Sequence, residues 1–430
     1  MFWSAGMFDT NKCSVRLTVF SDGERYPLLL DAQGSPLWYQ TLFTTTQFRN
    51  SSKAPNTMLA VLSALRVLMY WAQKNDIDLE SRFARREYLN EQELESLCRH
   101  SQTKTLEPEV KKQNIIRVLR RVETARGLLR VQEARVGSNT QYTRISYIAE
   151  YLDWLAIRLV ERDARHVDGD VLVRIKRMTG SLRKRRPQKV KGSAVFARRG
   201  LTENQQVMLL ELVKPESSHN PFSKELRSRN QLIVWLLYYL GLRVGELLAL
   251  RVSDFDLQQN TLLVARRHDN PDDPRTNQPV VKTIDRRIPL TESLVKAVSD
   301  YVLHERCRIP SVKRQHDFLV VTHQSGPYKG QPLSGKGLTK MFLEIQAALP
   351  DEFGARLTPH ILRHTANDRF SALMDQKNVK ESEEQKLRSY IFGWKEGSGT
   401  AATYTRRHIE KKAHEAALQL QNRNKENLSG

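Results

Sequence analysis

Two arginines, a histidine and a tyrosine in this chain have types and spacing suited to attack on a phosphodiester. Thr358–Thr365 reads Thr-Pro-His-Ile-Leu-Arg-His-Thr. Threonine is a favoured helix N-cap, and proline suits the first helical position, where its missing N–H is no loss. The stretch predicts a helix start with His360 and Arg363 on one face. Free backbone N–H groups and the positive dipole end lie beside them, a natural seat for a phosphate. Upstream, Gly241-Leu242-Arg243-Val244-Gly245-Glu246 sets Arg243 just past an apolar run, and downstream Thr403-Tyr404-Thr405-Arg406-Arg407 offers a tyrosine in a basic setting. Tyr404 can act as nucleophile and form a covalent phosphotyrosine. Its ordinary pKa of about 10 must be overcome by nearby positive charge or a base. Arg243 and Arg363 can match their planar forks to non-bridging oxygens. His360 can accept the tyrosine proton or hydrogen-bond the phosphate. Glu246 is expected to orient a neighbouring basic or backbone group, and His364 to stand behind the site.

The composition agrees with a polyanionic partner. The 430 residues hold 69 Lys+Arg against 48 Asp+Glu, a net charge of +21. That excess favours nucleic acid over a neutral partner. The longest uncharged apolar run, Leu232–Leu242, is shorter than the roughly 20 residues a bilayer needs and reads as a buried helix. Met1–Ser14 lacks the apolar core of a signal peptide. Cys13, Cys98 and Cys307 are scattered, so neither a disulfide framework nor a zinc motif is implied, and a reducing cytoplasm is expected. No carboxylate cluster and no phosphate-cradling glycine loop appear, so no metal, ATP or other cofactor is expected.

These residues must be positioned by the elements around them. Residues 1–50 predict a small extension with a hairpin, Val15–Val19 and Tyr26–Leu30 being the strands. Residues 51–165 predict a helical domain, with Met58, Val61, Leu62, Leu65, Leu68, Met69 and Ala72 at helical spacing. Further helices are expected at Glu91–His100, Pro108–Arg126 and Thr140–Val160. Residues 166–200 read as a basic interdomain linker, because no acidic residue occurs between Arg174 and Arg199. Within it Arg183, Lys184, Arg185, Arg186, Lys189 and Lys191 are candidates to lie along a DNA backbone. Residues 201–421 carry the chemistry. There a helix at Ser228–Leu240 ends at Gly241, strands at Thr261–Ala265 and Arg287–Leu290 flank a polar excursion, and helices follow at Thr291–Val302 and Leu338–Leu349. Val379–Gln385 reads as a surface turn and Tyr390, the rival nucleophile, as buried. A last amphipathic helix follows Tyr404, and residues 422–430 read as a disordered tail.

In order, Gly241–Glu246, His360–Thr365, Phe392-Gly393-Trp394 and Tyr404 resemble the phage integrase family, the tyrosine recombinases. The resemblance implies a mainly α fold with a small antiparallel β-sheet in the catalytic domain, preceded by a helical core-binding domain. Two such domains close round the duplex as a clamp. It implies a site-specific integrase that cleaves and rejoins DNA through a covalent 3′-phosphotyrosine, without metal or ATP, to integrate or excise a bacterial mobile element. It also implies a lysine on a β-hairpin loop, for which Lys282 is the best candidate, as acid for the departing 5′ oxygen. Trp394 falls where most of the family has histidine and some members have tryptophan. Its indole N–H donates one hydrogen bond but shuttles no proton. Double-stranded DNA with specific recombination sites is the partner so implied, bound by a homotetramer on paired sites, with accessory DNA-bending or co-recombinase proteins and no membrane. The place of action would be the bacterial cytoplasm, at the nucleoid. The narrow apolar stripe of the last helix suits packing on its own domain, whereas the resemblance implies docking on a neighbouring subunit; both stay open. Two other functions share these features: a type IB topoisomerase, and a DNA-binding protein that keeps the fold without catalysis.

Overall fold

The computed structural model describes residues 13–104, 135–163, 168–189, 200–309 and 316–395, with Gly397, Gly399 and Ala413. The expected helix at Pro108–Arg126, Lys191, Tyr404, the last amphipathic helix and the tail lie outside the described residues. Two compact units divide the chain, the first running to Lys191 and the second from Gly192, the turn Ser21–Glu24 grouping with the second. Both are mainly helical, each with one small antiparallel sheet. No helix among the described residues is long and apolar enough to cross a membrane.

In the first unit β1 (Ser14–Val19) pairs with β2 (Arg25–Leu30), Ser14 opposite Leu30 and Val19 opposite Arg25. Among the described residues the helices α1 (Trp38–Thr44), α2 (Pro55–Lys74), α3 (Leu79–Ala84), α4 (Glu91–Ser101), α5 (Ser138–Asp163) and α6 (Gly169–Lys184) follow. The apolar stripe of α2 packs on α5, with Leu62, Leu65 and Leu68 wholly buried against Ile148, Leu152 and Leu155. An aromatic knot of Phe43, Tyr151 and Trp154 closes the core, Phe43 meeting each of the other two rings at 5.3 Å. Asn90 and Glu93 cap α4 reciprocally, each side chain accepting from the other's backbone N–H.

The sequence reading is corrected at α6. Residues 169–184 are a helix packed into this unit, where a linker was expected. Val171, Ile175, Met178 and Leu182 recur at helical spacing and are buried, while the basic residues occupy the other side. Charge density drew the reading away from a stripe that is legible once counted.

The second unit is built on α8 (Lys224–Leu240), after α7 (Glu203–Leu212), which Thr202 and Gln205 cap. Leu232, Ile233, Leu236 and Leu237 of α8 are buried with Leu262, Ile288, Leu319, Ile345 and Leu362. The helix ends at Gly241, in the left-handed region at φ 59°, where a Cβ would also fall 2.6 Å from the Phe392 ring. The short α9 (Val244–Ala249) follows at once, then a sheet in the order β3 (Phe255–Asp256), β4 (Thr261–Val264), β5 (Arg286–Pro289), with Leu262 opposite Ile288. Between β4 and β5 the excursion is pinned by Arg275, which pairs with Asp273 at 2.7 Å and donates to the Leu248 and Leu333 carbonyls. Helices α10 (Glu292–Asp300), α11 (Gly335–Ala348), α12 (Pro359–Gln376) and α13 (Glu381–Phe392) follow among the described residues.

Two further corrections fall here. Residues 381–392 form α13, where a surface turn was expected over Val379–Gln385, and Tyr390 is 65% exposed, not buried. The buried side of α13 is polar: Arg388 is fully buried, pairs with Glu384 and Ser371, and donates to Asn367 Oδ1 at 3.1 Å. A helix whose inner face carries an ion pair gives no hydrophobic periodicity to read.

Elsewhere in this unit His323 is held neutral. Its Nδ1–H donates to the Glu225 carbonyl at 3.2 Å, and Tyr301 O–H donates to Nε2 at 3.1 Å. Burial and then the Arg229 guanidinium push its pKa from 6.5 down to about 4. The unfolded chain therefore binds this proton first, so stability falls as pH drops below 6.5 and levels off near 4. The loss is about 3 kcal/mol. His323→Gln is expected to flatten that limb of a denaturant-melt pH profile; an unchanged limb would assign it to other groups.

Candidate active site

Arg243 is the N-cap residue of α9, held rigidly one turn from the end of the buried α8. Its own backbone N–H donates to Glu246 Oε2 at 2.9 Å and its guanidinium lies 3.5 Å from Oε1. Glu246 thus orients both a backbone and a basic group, as its position predicted. Its side chain has no exposure, and it gathers three arginines: Arg286 at 3.0 Å, Arg243 at 3.5 Å and Arg363 at 3.9 Å. The Thr283 hydroxyl donates to the same carboxylate. Burial works against ionisation of this carboxyl, but the charge and hydrogen bonds of Arg286, then Arg363 and the Thr283 hydroxyl, outweigh it and hold the pKa below the usual 4.5.

Arg363 projects from the second turn of α12, which Thr358 caps by accepting from Ile361 N–H at 3.3 Å, with Pro359 first in the helix. The guanidinium is buried. It donates to the Gly241 carbonyl and, at 3.0 Å, to the Phe392 carbonyl. Its central carbon lies over the Phe392 ring at 5.2 Å and over the Trp394 ring at 5.3 Å. Trp394 is itself buried and stacks on Phe392, so its ring helps hold Arg363. Arg363 therefore directs much of its fork at the protein, whereas the Arg243 side chain is 31% exposed. His360 is exposed one turn before Arg363, its ring 4.4 Å from that of the buried His364.

Lys282 is exposed between two buried neighbours, Val281 and Thr283. Its segment lies on the first turn of α9, since a Cβ on Gly245 would fall 2.4 Å from the Val280 carbonyl oxygen. Ile284 N–H donates to the Gly393 carbonyl at 3.1 Å and Arg286 Nε to the Ile391 carbonyl at 2.7 Å. The structure thus brings Arg243, Arg363, His360, Lys282 and Trp394 into one region of the second unit. Tyr404 lies outside the described residues.

Sequence reasoning missed Arg286 and Thr283. The signal was present: Arg286 stands two residues before Ile288, on the same side of β5, so it is an arginine on the strand's buried face. The strand had been expected to begin one residue later.

The basic candidates of residues 183–189 belong to the first unit. Arg186 and Lys189 lie over the Tyr142 ring at 4.7 and 4.5 Å, Arg185 pairs with Glu91, and Lys184 is exposed. Among the described residues, no cluster of His, Cys, Asp or Glu is set to hold a metal ion.

An arginine pair held by a buried carboxylate, with His-x-x-Arg opening a capped helix, defines a class. Residues 199–411 match the sequence model of the phage integrase family, so this part of the chain is a phage integrase domain. Transposase A from transposon Tn554 of Staphylococcus aureus is 30% identical over 138 residues, 32% of this chain and 34% of that protein. Tyrosine recombinase XerD of Halalkalibacterium halodurans is 29% identical over 154 residues, 36% of this chain and 43% of that protein. The chain thus spans between a third and a half of the length of these relatives. Among solved structures, the XerH site-specific recombinase bound to a palindromic difH substrate aligns with 90% of this chain and 95% of its own, at 17% identity and a TM-score of 0.47.

Proposed function

We propose that this protein is a site-specific DNA recombinase that cuts and rejoins double-stranded DNA through a 3′-phosphotyrosine, in the service of a bacterial mobile element. The observation that carries this reading is the gathering of Arg243 and Arg363 on one buried carboxylate beside the exposed His360 and Lys282. In the reaction the Tyr404 oxygen attacks phosphorus and its proton passes to His360. The bond from phosphorus to the 5′ oxygen breaks, and that oxygen takes a proton from the Lys282 ammonium. Arg243 meets the non-bridging oxygens directly. Arg363, behind it in a low-dielectric setting, adds positive charge at short range and fixes Trp394. The phosphotyrosine conserves the bond, so attack by a 5′ hydroxyl on phosphorus reverses every step and releases Tyr404. The net charge of +21 supports a DNA partner, with Arg183, Lys184, Arg185, Arg186, Lys189 and Lys191 along its backbone. Assembly as a homotetramer on paired sites, in the cytoplasm, is part of the same reading.

The test uses duplexes taken from element–chromosome junctions sequenced in cells expressing the protein, nicked so that cleavage cannot reverse. A detergent-resistant adduct mapping to the Tyr404 peptide, formed equally well in EDTA, is expected. Absence of the adduct, a metal requirement, or attachment at Tyr390 overturns the reading.

A further inference from the structure

Arg286 is almost completely buried, yet it touches three segments that carry or adjoin site residues. Its Nη2 lies 3.0 Å from Glu246 Oε2, its Nη1 donates to Thr283 Oγ1 at 3.2 Å, and its Nε donates to the Ile391 carbonyl at 2.7 Å. Gly393 is packed so closely on it that a Cβ there would fall 2.6 Å from Nη1 and 2.8 Å from the Thr283 Cβ. One planar fork therefore joins three segments: the turn that carries Arg243, the strand lead-in that carries Lys282, and the Gly393-Trp394 turn. A lysine at this place has one terminal nitrogen and cannot span three directions at once.

Residues 280–285 belong to no strand or helix. Ile284 N–H donates to Gly393, Thr283 donates to Glu246 and accepts from Arg286, and Asp285 accepts from Arg266 N–H at 2.6 Å. The outward residue between the anchored Val281 and Thr283 is Lys282. Its four-carbon stem is flexible, so the accuracy with which its ammonium meets a leaving oxygen depends on how firmly its backbone is held.

We infer that Arg286 is a positioning residue for the general acid: through Thr283 and the Gly393 turn it sets Lys282 against the departing 5′ oxygen. The inference rests on the phosphoryl-transfer reading above and adds to it which step Arg286 serves. A residue that serves proton donation to the leaving oxygen matters only when that oxygen needs a proton. Replacing the bridging 5′ oxygen by sulfur gives a leaving group that departs as a thiolate, with no acid required.

The experiment compares adduct formation on paired suicide duplexes with oxygen or sulfur at that position, for the intact chain, Lys282→Ala, Arg286→Lys and Thr283→Val. On the oxygen duplex Lys282→Ala and Arg286→Lys are expected to be slower by about 100-fold or more. On the sulfur duplex both should come within about tenfold of the intact chain, with Thr283→Val showing the same pattern at smaller amplitude. Arg286→Lys that is equally slow on both duplexes overturns the inference, because the residue then supports the phosphate grip or the fold. Arg286→Lys that is near normal on oxygen overturns it too. If Arg286→Lys is unfolded at the assay temperature, the same comparison with Thr283→Val decides. An intact chain that forms no adduct on either duplex refutes the phosphoryl-transfer reading instead, a distinguishable result.

Discussion

Arg363→Ala is expected to lower both stability and cleavage more than any other single change in the second unit. The substitution leaves the Gly241 and Phe392 carbonyls without their guanidinium partner inside the protein, and removes the cation packed against the Phe392 and Trp394 rings. Breaking a buried charged contact of this kind costs about 3–5 kcal/mol, visible as a shifted denaturant midpoint. Adduct formation, measured below the variant's own melting temperature, should fall by about 100- to 1000-fold, the usual effect of losing a preorganised stabiliser of transition-state charge. Arg363→Lys should recover part of the stability but little of the rate, since one ammonium cannot reach both carbonyls and pack against both rings. A folded Arg363→Ala protein cleaving within tenfold of normal would remove this residue from the reaction.

Glu246→Ala should be nearly as damaging, for the opposite reason. Without the carboxylate, Arg243, Arg286 and Arg363 repel one another around a cavity in which no counter-charge remains among the described partners. A loss of about 3–5 kcal/mol is expected, with Arg243 freed from the contact that aims it. Because the Glu246 pKa is lowered in the folded protein, its stabilising contribution is present above 4.5 and disappears as pH falls through the depressed value. Glu246→Gln should therefore be less stable than the native chain at neutral pH and lose less on acidification. Melting temperatures at pH 7 and pH 3 test this, and parallel curves for the two proteins would contradict it.

Much of the fold was legible because its signals are local. Thr358 and Pro359 mark a helix start by chemistry that does not depend on the rest of the chain, and Gly241 a helix end in the same way. Val15–Val19 alternates as a strand should, and β1, β2, β4 and β5 each lie within a residue of the expected ends, whereas the two-residue β3 was not expected. What escaped was structure stabilised by polar burial. The α13 helix hides an Arg388–Glu384 pair, and its acidic first turn, favourable beside a helix N-terminus, looked like a surface loop. Likewise α6 was masked by its own charge. At the site, the types and order of Arg243, His360 and Arg363 could be read, but which atoms each fork would meet could not. Arg363 bonding two backbone carbonyls is a fact of three-dimensional closure. Arg286 escaped because the strand was expected to begin at Arg287, which left Arg286 outside the alternation whose buried face it shares with Ile288.

The anchoring of the β4–β5 connection divides it into two zones of tolerance. From Val281 to Arg286 each residue has a fixed inward or outward sense, so a single deletion would either present Arg287 to the carboxylate or reverse the direction of Lys282. Beyond the Arg275 anchor, Thr276 and Asn277 are exposed and take no part in it. Evolution can lengthen the chain there, and a laboratory can graft a fluorophore or affinity handle there, without altering the spacing of the residues that follow.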